Sequence, residues 1–303
     1  MRLISPNGKK VIIKGTKNSW AVSRFYLDKF LVDKAVEKGA KLIKKRVIDI
    51  ERKDNRWIIK TDKKIYKSDI IIGADGANSL VRRKLIGTIP EENLGLCYGC
   101  FARSNEKEFT TIKFLEKKQG YAWCFPREDH LSIGVGMELN NSKNIKEIFD
   151  DFISSYYPHV KIISKWGAVI PLVKNSEFFK ISCAGENWIL VGDAAGHVDP
   201  ITGEGITYAL WSAKLASQSL LKKDLKEFDV MWRNEYGYNL VEGSKIRDLF
   251  FNKNVLELSA KMALKSETYG KILYDLINST QDYKTFTKRI IYDTPKIIGE
   301  MIF

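Results

Sequence analysis

Apolar and polar positions divide the chain into three textures. Near the start, Leu3-Ile4 and Val11-Ile12-Ile13 flank Ser5-Pro6-Asn7-Gly8, a sound turn sequence, and predict a hairpin within residues 1–14. From Arg24 onward Phe30, Leu31, Ala35 and Val36 share one helical face, and Gly39 suits the C-cap. Residues 47–50, 56–60 and 64–66 predict a small antiparallel meander with a turn at Asp62-Lys63, leading into an apolar strand at 70–72. The second texture runs from 95 to 138. Leu96, Tyr98 and Phe101, then 111–115, 121–125 and 131–137, read as antiparallel strands. A helix over 145–157 stops at Pro158, and 166–172 returns as a strand. The third texture opens with 188–191, a short continuous apolar run that reads as a buried strand. Residues 206–221 follow as a helix with Ile206, Leu210, Ala213, Leu215 and Leu220 mostly on one side. From 228 to 303 the pattern predicts several amphipathic helices. Residues 245–265 combine Phe250, Phe251, Leu256, Leu258 and Met262 with five basic residues, a stretch expected to pack on its own domain, with a membrane surface as the alternative.

Composition adds limits. A length of 303 residues with 44% hydrophobic content supports one large or two interleaved domains. Lys plus Arg number 50 against 37 acidic residues, a net charge of +13. The lysines are scattered and no nucleic-acid motif accompanies them, so a solvated surface is expected and nucleic acid is not an expected partner. No apolar run reaches spanning length, and the first residues lack a secretory apolar core. Four cysteines fit a reducing compartment, so a cytoplasmic location is expected, with peripheral membrane contact left open. Cys97 and Cys100 form a C-x-x-C with no second pair. Three apart in a strand they face opposite ways, so neither metal nor redox function is expected.

The candidate chemistry sits at two strand–turn–helix junctions. Gly192-Asp193 ends the strand at 188–191, and Gly196, Pro200, Gly203 and Gly205 lie in the turn-rich segment before Ile206. Gly192 admits a ligand close to the backbone, and Asp193 can accept hydrogen bonds from ribose-like hydroxyls. The glycines around Glu204 free N–H groups at a helix start, where the dipole favours negative charge such as that of a reduced flavin. The competing reading is an ordinary connection with a solvent-facing Asp. The second junction is Gly73-Ala74-Asp75-Gly76, followed by Ser79, Arg82 and Arg83; here the competing readings are a simple turn and surface charge. Tyr121, Trp123 and Phe125, spaced by two, share one face of a strand and could wall in a long apolar chain, or form a sheet core.

Both glycine-rich motifs, in this order, resemble the FAD-dependent hydroxylase and geranylgeranyl reductase superfamily. Tyr121-Ala-Trp-Cys-Phe-Pro126 between them matches the Tyr-x-Trp-x-Phe-Pro motif of the geranylgeranyl reductases. The resemblance covers residues 1 to about 225 and is weaker beyond. It implies an α/β Rossmann-like FAD/NAD(P)-binding flavoprotein fold, incomplete at the N-terminus, with an antiparallel-sheet substrate domain and a helical C-terminal region. The expected division is 1–92 and 181–225 for the FAD-binding domain, 93–180 for the substrate sheet and 226–303 for the helices. It implies that Arg24, Gly73, Asp75, Gly76, Arg82, Gly192, Asp193, Pro200, Gly203, Gly205 and Ile206 contact FAD. Tyr121, Trp123, Phe125 and Pro126 would contact an isoprenoid or lipid substrate. The implied reaction is reduction of isoprenoid C=C bonds, with NAD(P)H or ferredoxin as electron source; no catalytic residue is assigned and no metal is expected. A monooxygenase or halogenase acting on an aromatic substrate is the alternative within the same fold, and a remnant that no longer holds FAD is the non-enzymatic one. The Gly-x-Gly-x-x-Gly unit that opens the family pattern does not occur, so the chain is expected to be a fragment that binds FAD weakly by itself. The cysteine that the reductases place near the flavin in that region is missing too, since none of the four here stands in its motif.

Overall fold

The computed structural model describes residues 1–15, 21–104 and 109–302, and in it the alternating stretches join into one large sheet. The first hairpin is β1 (Arg2–Ile4) and β2 (Lys10–Ile12), closed by Ser5 N donating to Lys9 O at 2.9 Å with Gly8 at φ 86°. The helix α1 (Arg24–Glu37) follows. The meander is β3 (Val47–Lys53), β4 (Arg56–Thr61) and β5 (Ile65–Ser68), and its first turn places Asp54 and Asn55 in the left-handed region at φ 49° and 59°, the pair of signs that suits a tight hairpin. Next come β6 (Ile71–Gly73) and α2 (Leu80–Leu85). The central run is β7 (Leu94–Arg103), β8 (Thr111–Phe114), β9 (Gly120–Pro126), β10 (Leu131–Glu138), α3 (Ile145–Tyr156) and β11 (Lys161–Pro171). The chain then forms β12 (Trp188–Leu190), α4 (Ile206–Leu221) and α5 (Glu227–Trp232). A π-helical turn over Arg233–Gly237 leads into α6 (Tyr238–Phe250), α7 (Lys253–Lys265), α8 (Glu267–Ile277) and α9 (Tyr283–Ile302).

The large sheet has the order β11-β7-β10-β9-β8-β1-β2. One face packs on α3: Cys100, Ala102, Ala122, Cys124, Ile133 and Val135 meet Phe149 and Phe152. The period of two then points Cys97, Phe101, Tyr121, Trp123 and Phe125 to the opposite face. The first hairpin, expected in the flavin half, extends this sheet instead, because β1 pairs in parallel with β8. Leu3 and Val11 bury with Leu256, Ala260 and Leu273 of the C-terminal helices, and that burial holds the hairpin there.

The two motif strands pair in parallel, Trp188 opposite Ile71 and Leu190 opposite Gly73, so their loops leave side by side from the same strand ends. On α4 the buried face is Tyr208, Ser212, Leu215, Ala216 and Ser219, while Ile206 and Leu210 stay 42% and 48% exposed. The expected apolar stripe therefore does not define the packed side. The Ser212 hydroxyl accepts from Gly192 N at 3.0 Å, which turns the small-residue face of α4 onto the end of β12. The basic stretch 245–265 is two helices, because Asn252 caps α7 by accepting from Asn254 N and Val255 N. Leu256, Ala260 and Ala263 bury against the body, the packing expected for this stretch. On α1 none of the residues is buried, and its apolar positions are spread around the helix instead of gathering on the expected face. None of the described helices is long and apolar enough to cross a membrane.

Candidate functional site

A cavity of about 1250 Å³ lies between the open face of the large sheet, the 192–206 loop with the start of α4, and the first turns of α1. Its floor depends on glycine. A Cβ at Gly134 would stand 2.5 Å from Trp123 Cζ2, and one at Gly99 would stand 2.8 Å from Trp166 Cζ2. Bare backbone at these points lets both indoles lie flat on the sheet. Trp123 stacks on Phe125 with centroids 6.1 Å apart and meets Trp166 at 6.1 Å; Trp166 in turn meets Phe101 at 6.3 Å. At the other end of β9 the Tyr121 hydroxyl donates to Thr202 O, tying the aromatic strip to the loop. Burial pushes the Tyr121 phenol far above its ordinary range, so it stays protonated. Tyr121, Trp123 and Phe125 all line the cavity, whereas Pro126 does not. Cys97 also faces it, with its thiol pushed up to about 12 by burial, while Cys100 points away. No cluster of metal-ligating side chains occurs among the described residues.

The loop at the far side is shaped by its own polar contacts. The buried Asp199 accepts from Ile201 N at 2.9 Å, Thr202 N at 2.8 Å and the Tyr283 hydroxyl at 2.7 Å. Gly192 and Gly203 adopt φ 55° and 69°. A Cβ at Gly205 would stand 3.2 Å from Asp193 Oδ1, so this glycine makes room for the carboxylate. Asp193 lines the cavity, and its own backbone N–H donates to its carboxylate. Burial raises its pKa, and nearby Arg24 opposes the rise. Arg24 stands at the cavity mouth, paired with Asp28 at 2.9 Å and 59% exposed. Glu204 Oε1 accepts from Thr207 N at 2.8 Å, while its Oε2 is buried without a partner, and burial raises this carboxyl too. Gly76, Gly192, Gly203, Gly205 and Ile206 complete this wall.

Four residues expected at the cofactor do not line this cavity. The Asp75 carboxylate accepts from the Ser79 hydroxyl at 2.5 Å, Leu80 N at 2.7 Å and Val81 N at 3.2 Å, so it caps α2 and does not line the cavity. Arg82 is only 2% exposed, donates to Ala194 O at 3.3 Å and lies 5.0 Å over the Phe178 ring. Gly73 is a packing glycine, since a Cβ there would stand 2.6 Å from Leu190 Cδ2. Pro200 serves through its carbonyl, which accepts from Arg247 Nε at 2.8 Å.

Arg247 itself was not singled out in the sequence. It is 1% exposed, borders the cavity, and donates from Nη1 to Glu138 at 2.8 Å and to Gln119. Lys174 also pairs with Glu138 at 2.6 Å. Burial alone would raise the Glu138 carboxyl, yet Lys174 and Arg247 hold it below its ordinary value. Trp166, Phe101 and the floor glycines were missed as well. The Gly-x-Gly at 134 and 136 inside a strand was the available signal, because interior strand glycines mark close approach.

The end of the cavity beside the 192–206 loop offers groups that fit part of a flavin nucleotide: a carboxylate facing the cavity for ribityl hydroxyls, glycine backbone at a helix start, and an arginine at the rim.

Residues 95–170 match the family model described as the geranylgeranyl reductase catalytic domain. The chain is 27% identical to a digeranylgeranylglycerophospholipid reductase of Methanococcus vannielii over 95% of its own length and 81% of that protein's. Its fold matches a geranylgeranyl bacteriochlorophyll reductase-like protein from Thermoplasma acidophilum with TM-score 0.76 and 18% identity, covering 99% of this chain and 81% of that one. A triple mutant of a flavin-dependent brominase follows with TM-score 0.64 and 16% identity, over 92% and 81% of the two chains.

Proposed function

We propose that this chain, which resembles the geranylgeranyl reductases within the FAD-dependent hydroxylase-like flavoproteins, is an FAD-dependent oxidoreductase that saturates C=C bonds of isoprenoid chains carried on lipids or prenyl diphosphates. The observation that carries this reading is the aromatic trough: Phe125, Trp123 and Tyr121 run in line along β9 and end on the Thr202 carbonyl of the loop that would hold the flavin. Bound FAD would supply the hydride equivalent, refilled by NAD(P)H or ferredoxin. Asp193 and Arg24 would hold its ribityl and phosphate portions. The trough does three things with its own atoms. It desolvates an apolar chain, aligns it along the strand direction, and keeps water from the reacting double bond. Division into FAD-binding segments at 1–92 and 181–225, the substrate sheet at 93–180 and the helices at 226–303 belongs to the same proposal, with the first hairpin shared with the sheet. So does peripheral contact with the membrane that presents the lipid.

Anaerobic turnover tests the reading. With FAD, a chemical reductant and geranylgeranyl diphosphate or a digeranylgeranyl phospholipid, the product should gain two hydrogens per reduced bond without oxygen. Trp123→Ala should slow this reduction while FAD binding stays intact, because Trp123 lies outside the 192–206 wall. A requirement for oxygen and a hydroxylated or halogenated product would replace the reading with the monooxygenase alternative. Full activity of Trp123→Ala would remove the trough from the mechanism.

A further inference from the structure

The cavity mouth at the far end of the trough carries charge that the reductase reading leaves unused. Pairing of β10 with both neighbours sets Leu131 opposite Ala102 and opposite Pro126. One step further along, the same register brings Arg103, His130 and Arg127 into a row across three adjacent strand ends, with Arg127 N donating to His130 O at 2.8 Å. Strands about 4.8 Å apart hold the two arginines roughly 10 Å apart with the histidine between them. All three line the cavity, and they share the face of Phe101, Phe125 and Ser132. The Arg127 guanidinium is 5.9 Å from the Phe101 centroid, and His130 meets the same ring edge-on at 5.1 Å. His130 Nε2 stands 3.3 Å from Arg127 Nη1, and His130 Nδ1 stands 2.6 Å from Asp129 Oδ1.

The row carries more positive charge than the one carboxylate beside it, Asp129, can balance. Arg127 Nε is buried without a partner, and among the described residues neither Arg103 nor Arg127 forms an ion pair. Asp129, the near carboxylate, is 58% exposed and engaged with His130. Burial, and next the neighbouring Arg24, hold the Arg127 guanidinium below its ordinary value. Arg127, half-buried with its Nε unpartnered, and the exposed Arg103 leave N–H donors for an anion, and their fork geometry matches phosphate oxygens. From Tyr121 to Arg127 the strand spans about 20 Å.

We propose that Arg103, His130 and Arg127 bind the phosphate-bearing headgroup of the substrate, with its prenyl chain laid along Phe125, Trp123 and Tyr121 toward the 192–206 loop. The proposal rests on the isoprenoid reading of the cavity. It orients the chain, so that double bonds remote from the headgroup are the ones presented at the loop. The shared chemistry is a phosphate ester, which a free prenyl diphosphate and a prenylated glycerol phosphate both carry.

Calorimetric binding to the intact chain tests this without turnover. The ligands are geranylgeraniol, geranylgeranyl diphosphate and digeranylgeranylglyceryl phosphate in one detergent. The wild type should bind one or both phosphate-bearing ligands about 10- to 100-fold more tightly than the alcohol. The paired substitution Arg103→Gln with Arg127→Gln should erase that preference and leave the alcohol's affinity unchanged; Arg103→Lys with Arg127→Lys should retain part of it. A preference for the diphosphate or for the glycerol phosphate identifies the source. Equal affinity for alcohol and phosphates in the wild type, or a preference that survives the Gln pair in a folded variant, overturns the headgroup site and leaves the trough standing. Failure of every prenyl ligand to bind overturns the isoprenoid reading, and the headgroup site with it.

Discussion

Single side chains in this protein divide by where their partners come from. His197 is fully buried, its Nδ1 2.9 Å from the Tyr236 hydroxyl and its ring 4.3 Å from Trp232, and burial drops its pKa to about 3. A base with a depressed folded pKa stabilises the fold above its unfolded value and loses that contribution as pH falls below it. The unfolded chain therefore takes up a proton at His197 from about pH 6.5 downward, and by pH 5 the fold should lose about 2 kcal/mol through this group. Urea titrations between pH 7.5 and 5 check it: His197→Gln should flatten the dependence, and an unchanged slope would remove His197 as its source. Asp193 carries the opposite sign, because burial raises its folded pKa. Its ionisation opposes folding once pH rises above the unfolded carboxylate value of about 3.9, and fully so above the folded one. Asp193→Asn should then raise the melting temperature at pH 7 but not at pH 3, while weakening FAD by about 10- to 100-fold. Loss of both stability and affinity would mean that the carboxylate serves the fold. Asp75 illustrates what residue identity does not disclose. Its Asp-Gly context reads as cofactor contact, with a simple turn as the competing reading, and neither foresees that its carboxylate takes the N–H groups of Leu80 and Val81, brought round by α2.

At the scale of elements, alternation in the sequence was enough to place β7, β9 and β10 and to put Tyr121, Trp123 and Phe125 on one face, because a strand's period leaves no other choice. Partners remote in sequence were not legible. The parallel pairing of β1 with β8 depends on Leu3 and Val11 burying against helices more than two hundred residues away. The packed face of α4 depends on one serine reaching Gly192 N. The glycine floor lies between these cases: Gly134 and Gly136 are visible in the sequence, but the indole that fills the space above them is not. Gly134→Ala would set its Cβ 2.5 Å from Trp123 Cζ2 and should lift the indole off the sheet, at a cost of about 1–3 kcal/mol. The near-ultraviolet dichroism of tryptophan and the affinity for geranylgeraniol should both fall. Gly167→Ala is the control, since a Cβ there meets nothing closer than Cys97 O at 3.7 Å. Equal effects of the two substitutions would show that the floor has no special role.

Across the whole molecule, a buried charged contact and the apolar burial of α7 and α8 fasten the helical region to the sheet, while α1 is scarcely fastened at all. Arg247 on α6 reaches Glu138 at the end of β10 and Pro200 in the loop, so three regions share one guanidinium. Arg247→Ala leaves the buried Glu138 with Lys174 as its only ion-pair partner among the described residues, beside the Asn141 amide, and a loss of about 3–5 kcal/mol is expected. Helix α1 stands at the other extreme. Phe25, Tyr26 and Phe30 are 73%, 60% and 56% exposed. Within the helix the pairs Arg24–Asp28, Lys29–Asp33 and Lys34–Glu37 are solvent-exposed, each worth about 0.3–0.5 kcal/mol. Local opening should therefore require far less free energy in α1 than in β10, whose backbone is paired on both sides. Native-state hydrogen exchange reads this directly. Amides of α1 should exchange near the rate of a free helix, and those at the centre of β10 only through global unfolding. FAD gives the comparison its functional edge. If Arg24 holds the cofactor, saturating FAD must slow exchange in the first turns of α1, because a ligand protects the segment it binds in proportion to its affinity. Protection around Gly192 and Ile206 with none in α1 would leave Asp193 at the cofactor and take Arg24 away from it.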